Sequence, residues 1–310
     1  MLSSYKYCVV IPHRNIPSLL VRCLQSVPAL PYVHVLVVDN SEDDKKAETV
    51  IKGAPFGFGS LTVIERKPIN IGYIRNEALR FLHEQHFVGK LVFADADDYF
   101  TTKATECFER FKDADYDMVW FGVRGEDEKG CPAPNADYVN RNLKVYEETN
   151  DLGALKYNDG PVWGKFIDMR LISRNDVWFQ EIETCEDTLF SAMIGYYSQS
   201  QHVAPPQEVL YVYVQRKGSL VMINNAKKAK TGFQAAYDTT RWLKERTKDG
   251  YYWTQYNVIW HWINWCQMDW TALEYLPKVY ELCDKKKVRK AIVKVFKRKI
   301  KTNLRQVRIK

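Results

Sequence analysis

Short β-branched runs alternate with helix-length amphipathic segments through the first 125 residues, and no other feature of the chain restricts its fold as strongly. βαβ units answer such alternation by building a mostly parallel sheet, because each parallel connection needs a crossover segment, usually a helix. The runs predict strands over Tyr7 to Ile11, Val33 to Val38, Leu61 to Glu65, Lys90 to Ala94 and Asp117 to Gly122. Helices are expected between them, near Pro17 to Ser26, Asp43 to Lys52, Gly72 to His86 and Thr101 to Phe111. Pro17 suits a first helical turn, and Thr101 or Thr102 suits an N-cap. After Val123 a polar stretch with Gly125, Gly130, Pro132 and Pro134 reads as a loop or small insertion, and beyond Asn224 the sequence is helical in character.

Ligands of open parallel sheets bind outside the carboxyl ends of the strands. Those ends read Pro12-His13-Arg14-Asn15, Asp39-Asn40-Ser41 and Asp95-Ala96-Asp97-Asp98, so three polar or acidic clusters are expected to share one cleft. Strand alternation places Asp95 and Asp97 on one side, and neighbouring carboxylates repel unless a cation lies near them. Mg2+ or Mn2+ takes one or two such oxygens and completes its shell with water and diphosphate oxygens. Acids after a strand also serve simply to solvate a loop and cap the next helix. The pair therefore gains its weight from the motifs around it.

Charge is distributed unevenly. The chain carries +7, yet the last 27 residues, from Asp284, hold thirteen Lys or Arg and one acid, a local +12 that leaves −5 for the rest. An acidic body argues against nucleic acid as a partner, and no stacking aromatic residues are interleaved with the terminal cations. Val288, Ile292, Val295, Phe296, Ile300, Leu304 and Val307 trace a helical stripe flanked by cations, which suits an anionic membrane surface. Tyr251 to Trp270 places five Trp and three Tyr nearly all round a helix, a pattern of burial or, failing that, of a lipid-linked or sugar acceptor site. Seven scattered cysteines without a C-x-x-C suit a reducing cytosol. No apolar run reaches the roughly 18 residues of a membrane span, and no secretory signal is expected at the start. A cytoplasmic protein, peripheral on the inner face of the cytoplasmic membrane, is the expectation.

Taken in order, Val9-Val10-Ile11-Pro12 with Asn15, Val37-Val38-Asp39-Asn40-Ser41, Asn70-Ile71-Gly72 with Arg75-Asn76, the Asp95 to Asp98 cluster and Glu186-Asp187 resemble the inverting glycosyltransferases of family 2, which have the GT-A fold. Trp163-Gly164-Lys165, Glu186-Asp187-Thr188-Leu189-Phe190, and Tyr211-Val212-Tyr213 followed by Arg216 and Gly218-Ser219 resemble the branch that builds bacterial capsule, O-antigen and other surface polysaccharides. The resemblance spans roughly residues 5 to 220. It implies an α/β protein with a Rossmann-like mixed, mostly parallel sheet flanked by helices and a helical C-terminal extension. The expected domains are a catalytic unit at 1–223, with a nucleotide half to about 124 and an acceptor half from 125, an aromatic-rich helical extension at 224–284, and a basic amphipathic tail at 285–310.

The resemblance also implies roles, residue by residue. Pro12, His13 and Asn15 would line the nucleotide base and ribose. Asp39 and Asn40 match the pair that contacts the base, with an amide, able to donate and accept, where a second acid is usual. Arg75 would lie near the base or phosphates, where a guanidinium forms paired hydrogen bonds. Asp97 matches the metal-binding acid, and Asp95 the acid near ribose and metal. Trp163 and Lys165 would belong to the donor-sugar or acceptor wall, and Arg216 to a loop near the diphosphate. Asp187 is the expected base, with Glu186 second, because an attacking hydroxyl must lose its proton to a carboxylate.

The expected function is thus a Mg2+- or Mn2+-dependent inverting transfer of a sugar from a nucleotide-sugar donor, a UDP-sugar, to a glycan or lipid-linked glycan acceptor at a surface-glycan hydroxyl. Two alternatives stay open. A sugar-phosphate nucleotidyltransferase shares the architecture, although Pro12 to Pro17 lacks the glycine-rich loop such enzymes use for a triphosphate. A nucleotide-sugar-binding or scaffold protein recruited to a membrane is the non-enzymatic alternative. A Rossmann dehydrogenase is disfavoured because no G-x-G-x-x-G follows the first strand.

Overall fold

The computed structural model describes residues 2–52, 55–67, 69–219, 222 and 224–307, with side chains through residue 297. The first half runs β1 (Tyr7–His13), α1 (Pro17–Ser26), β2 (Val33–Asp39), α2 (Glu48–Ile51), β3 (Ser60–Glu65), α3 (Ile71–Glu84), β4 (Lys90–Phe93), β5 (Tyr99–Phe100) and α4 (Ala104–Phe111). The second half continues with β6 (Met118–Trp120), β7 (Gly122–Asp127), α5 (Asp137–Thr149), α6 (Gly153–Asn158), β8 (Lys165–Asp168), α7 (Met169–Asn175), α8 (Asp187–Tyr197), β9 (Gln201–Val203) and β10 (Val209–Gln215). Four helices follow: α9 (Ala226–Lys244), α10 (Lys248–Met268), α11 (Leu276–Leu282) and α12 (Lys285–Val307).

The expected mostly parallel sheet is present, flanked by helices, in the order β3-β2-β1-β4-β8-β6-β9. β3, β2, β1 and β4 run parallel, and β8 is antiparallel to both of its neighbours. A smaller sheet, β5-β10-β7, packs beside it. Alternation sorts each strand's residues between two cores. Tyr7, Val9, Ile11, Val35 and Val37 enter one hydrophobic cluster, while Cys8, Val10, Leu36 and Val38 enter the cluster on the opposite face. Near-continuous apolar runs in β1 and β2 follow from that double burial.

Sheet order turns back between β1 and β4, so the carboxyl ends of β1 and β2 open beside this switch point. Pro12 is tolerated in central β1 because the pairing with β4 stops at Val10 opposite Phe93. Its ring needs no partner on that side.

Several local expectations need correcting. The helix expected over Asp43 to Lys52 divides into a 3-10 turn, Asp43–Lys45, and the single turn α2. The break has a cause, since Asp39 Oδ2 accepts the Ala47 N–H at 2.6 Å. Neither Thr101 nor Thr102 is the N-cap of α4; Lys103 is, and the Thr101 hydroxyl donates to the Val209 carbonyl. The polar stretch after Val123 is not a simple loop but holds most of β7 and all of α5. Asn140 of α5 exchanges two hydrogen bonds with the backbone of Val123, at 3.1 and 2.7 Å, so a polar side chain does what a strand partner would do.

Helices α9 to α12 enclose a third hydrophobic cluster built on Phe233, Val258, Trp262, Trp265 and Leu282. Val288, Ala291 and Val295 of α12 complete it, so the boundary drawn at 285 falls inside this cluster. The apolar pattern of α12 is therefore two stripes, since Val293 and Phe296 are exposed. Expected stripe members Ile300, Leu304 and Val307 have side chains outside the described residues. Helix α10 is also less buried than its composition suggests, with Tyr252, Tyr256 and Trp260 at 67%, 63% and 55% exposure.

Gly72 fixes how closely α3 approaches the segment before α8. A Cβ there would lie 1.9 Å from the Gln180 carbonyl oxygen, an impossible contact. Gly72→Ala is expected to lower stability by about 1–3 kcal/mol through this overpacking, measured by urea unfolding. A neutral result would show that the segment shifts freely.

Candidate active site

Three chain segments meet at the carboxyl ends of the strands: the turn after β4, the first turns of α3, and the residues that open α8. Arg75 joins them. It is 4% exposed, its Nη2 donates to Asp95 Oδ1 at 2.8 Å, and its Nη1 donates to Glu186. The guanidinium also lies 5.6 Å from the centre of the Phe179 ring. A nearly buried guanidinium is held charged by two carboxylates, and those carboxylates tolerate burial because of it. The helix that carries Arg75 starts where Asn70 accepts the Tyr73 N–H, and the Asn70 amide donates to the Glu181 carbonyl at 3.0 Å. One residue thus caps α3 and ties it to the approach of α8.

Asp95 to Asp98 form a tight turn rather than the expected strand continuation, closed by the Asp98 N–H on the Asp95 carbonyl at 3.0 Å. Asp98 is fully buried and structural. Its carboxylate accepts the Val214 N–H and the Tyr211 hydroxyl, each at 2.8 Å, and that same hydroxyl accepts the Asp95 N–H. β10 therefore holds the turn in place. Asp97 faces the other way and pairs with Arg216 at 2.5 Å, while Arg22 donates to the Asp97 carbonyl.

Could this turn hold a divalent cation? Among the described residues no group of three or more His, Cys, Asp or Glu is arranged for a metal. Mg2+ and Mn2+ need fewer protein ligands, since one or two carboxylates plus substrate phosphates suffice. Asp95 and Asp97, two residues apart in one turn, supply that donor set, with Arg75 and Arg216 as their present counterions. The residues fit the ion.

Proton affinities divide the acids. Burial pushes Asp187 up to about 8, reinforced by Glu186 and opposed by Arg75. Burial also raises Asp95 and Glu186, with Arg75 pulling both back down. Arg75 spends its two Nη groups on Asp95 and Glu186, so Asp187 is left with the weakest compensation. Asp39 behaves oppositely. Burial alone would raise it, but hydrogen bonds from His13, Ser41 and Ala47 outweigh that and hold it at about 2.

Those bonds place several expected nucleotide residues in a supporting role. His13 Nδ1 lies 3.1 Å from Asp39 and its Nε2 takes the Ile16 N–H, so the ring bridges the loops after β1 and β2. Asn15, in the left-handed region at φ 59°, donates its N–H to the Ser41 hydroxyl and accepts the Glu42 N–H. Pro12, His13 and Asn40 do line a cavity of about 290 Å3 with Asn70 and Ile71. The carboxylate cluster adjoins that cavity through α3 without lining it.

Trp163 and Lys165 do not form the expected sugar wall. Trp163 is buried and stacked on Tyr211 and Tyr213, with centroids 5.6 and 5.2 Å apart. Lys165 is buried and pairs with Asp159 at 2.8 Å. Trp163 lies just before β8, stacked on β10 of the smaller sheet, and Lys165 is the first residue of β8. Sequence reasoning missed the anchoring by Tyr211 and Asp98, and it missed the second wall of the cavity, which comes from α9. Only sequence-distant contacts carry either signal.

A mostly parallel sheet with an acidic turn at its switch point, backed by a helix-opening carboxylate pair, matches the GT-A fold of glycosyltransferases. The chain belongs to glycosyl transferase family 2, whose sequence profile matches residues 8–171. Among solved structures it is similar to S. aureus TarS residues 1–349 in complex with UDP-GlcNAc, with a TM-score of 0.58 at 16% identity over 89% of this chain and 79% of that one. The same fragment in complex with UDP gives 0.55 at 16% identity, over 86% and 73%. TarS itself gives 0.57 at 16% identity, over 94% of this chain and 54% of the other. At these identities the likeness is one of fold. No curated protein matches the chain.

Arg75→Met should cost about 3–5 kcal/mol, because it strands the buried Glu186 and the half-buried Asp95. The check is chemical denaturation at pH 7, where a loss below about 1 kcal/mol, the size of a surface pair, would remove Arg75 from the centre of the site.

Proposed function

We infer that the protein transfers a sugar, with inversion, from a UDP-sugar to a hydroxyl of a surface glycan. The observation that carries this reading is the division of labour around Arg75. Glu186 is occupied by the guanidinium, whereas Asp187, one residue on and half-buried, has its proton affinity raised to about 8. A carboxylate poised near neutrality is suited to accept the proton of an attacking hydroxyl. That favours Asp187 over Glu186 as the base. Glu186 and Asp95 act through Arg75, which they hold beside Asp187 while that acid gains and loses its proton.

The similarity to TarS, solved with UDP-GlcNAc and with UDP, supports UDP as the donor's nucleotide. Asp97, helped by Asp95, would hold Mg2+ or Mn2+, which when bound neutralises charge on the departing diphosphate. Arg216, now paired with Asp97, is placed to turn to the phosphate oxygens once that acid is otherwise engaged. Attack by the acceptor opposite the leaving group gives a single in-line displacement.

An anionic membrane surface remains part of this reading. Among the described residues no helix is long and apolar enough to cross a membrane. Exposed Tyr252, Tyr256 and Trp260 recur every four residues on α10, and the outer face of α12 presents Val293 and Phe296 among lysines. Aromatic rings and cations side by side suit a headgroup layer. Because Val288, Ala291 and Val295 complete the third core, the informative truncation spares them. Removing residues 298–310 deletes six of the thirteen terminal Lys or Arg and should weaken co-sedimentation with phosphatidylserine vesicles while UDP binding persists. Undiminished vesicle binding would discard the anchor.

Asp187→Asn should reduce kcat by about 10^2 to 10^4 with UDP affinity unchanged. In the wild type, kcat/KM should fall tenfold per pH unit below about 8, since the base works only when deprotonated. Wild-type turnover by both Asp187→Asn and Asp97→Ala would overturn the mechanism.

A further inference from the structure

Helix α5 brings an aromatic ring to the carboxylate site. Tyr138, its second residue, is 37% exposed. Burial nevertheless raises its phenol well above the ordinary tyrosine value, and the charges of Asp159 and Asp187 add to the rise. A ring that is open to solvent while its hydroxyl is desolvated lines a cleft, not a convex surface.

Hydrogen bonds fix where that cleft lies. Just before α5 the Asn135 amide donates to the Tyr213 carbonyl at 3.2 Å, and Asn142, one turn on from Tyr138, donates to the Asn158 carbonyl at 3.2 Å. Tyr138 therefore stands between β10 and the end of α6. The loop after α6 reaches α8 in turn, because the Ser191 hydroxyl donates to the Gly160 carbonyl at 2.5 Å. Asp187 precedes Ser191 by one turn on the same helix face, so the proposed base faces this loop as well. Asp159, within the loop, is paired with Lys165. On the β10 side, Tyr213 is stacked on Trp163, and the next residue, Val214, is tied to Asp98 at 2.8 Å. The Tyr213 phenol has Asp95, Asp97, Asp98 and Asp187 as its charged neighbours. Two tyrosines from separate elements thus converge on Asp187.

We propose that Tyr138 binds the acceptor, its open ring stacking on the apolar face of the sugar whose hydroxyl Asp187 deprotonates, with Tyr213 as the fixed ring beside it. A sugar presents C–H groups on a face and hydroxyls round its edge, and a tyrosine answers with an apolar face and a polar tip. Holding the sugar there confines the attacking hydroxyl to the neighbourhood of the base. This inference rests on the transfer reading above and adds to it the residue that recognises the acceptor.

Steady-state kinetics of the full chain test it, with UDP release from UDP-GlcNAc, UDP-glucose and UDP-galactose in Mn2+ buffer followed against methyl glycosides of glucose, galactose, mannose and N-acetylglucosamine. Tyr138→Ala should raise the KM of the accelerating glycoside about tenfold, the size of one stacked ring, while the KM of the UDP-sugar changes less than about twofold. Tyr138→Phe keeps the ring and should stay within about threefold of the wild type, the worth of one hydrogen bond. Thermal melting checks the fold, and Tyr138→Leu, which fills the space without an aromatic face, should repeat the loss. An unchanged glycoside KM in Tyr138→Ala, or an equal rise in Tyr138→Phe, overturns the stacking role. UDP release that no glycoside accelerates also overturns it and leaves the donor reading standing. If the wild type releases UDP from none of the donors, the transfer reading fails and this proposal falls with it.

Discussion

The placement of Arg75 between Asp95 and Glu186 is the constraint on which the site depends. Its partners lie 20 and 111 positions away along the chain, so one guanidinium closes a contact between the first βαβ units and the segment opening α8. Burial makes the arrangement sensitive to completeness. Three carboxylates share one buried cation directly or at short range, and their repulsion must appear somewhere. It appears as a proton retained on Asp187, the member that Arg75 does not grip. Positioning and acid–base chemistry thus come from the same electrostatic shortage.

Acids that look alike in sequence have separate tasks for the same reason. Asp39 receives three hydrogen-bond donors and stays ionised as the organiser of two loops. Asp98 receives two and anchors the acidic turn to β10. Asp97 and Asp95 turn toward arginines instead. A carboxylate surrounded by backbone and hydroxyl donors is fixed in structure, whereas one paired with an arginine is held by charge.

Behind these residues the second sheet and the helical extension act as buttresses. β10 fixes the turn, the Trp163 stack fills the space behind it, and α9 supports the approach to the carboxylate pair from the side opposite α3. The aromatic wealth of α10 divides between a core that closes α9 to α12 and an outward face that remains exposed. The extension has its own core and still contributes a wall to the cavity.

Alternation of β-branched runs and amphipathic segments was enough to determine the parallel sheet and the strand ends at which a site had to lie, because periodicity decides which faces are buried. Motif order along those ends was enough to indicate the family, and it drew attention to Arg75, although for the base or phosphates rather than for the pairs it makes with Asp95 and Glu186. The sequence could not determine that Trp163 and Lys165 turn inward, that His13 and Asp39 serve each other, or that Asp95 to Asp98 leave the strand as a turn. Trp163, His13 and the acidic turn each depend on a partner more than twenty positions away, such as Tyr211 or Asp39, and Lys165 on Asp159, six positions before it. Nor could it show that one helix of the extension borders the cavity. Local pattern sets which side chains are buried together; only the closed chain decides which buried charges meet, and with them which acid keeps its proton.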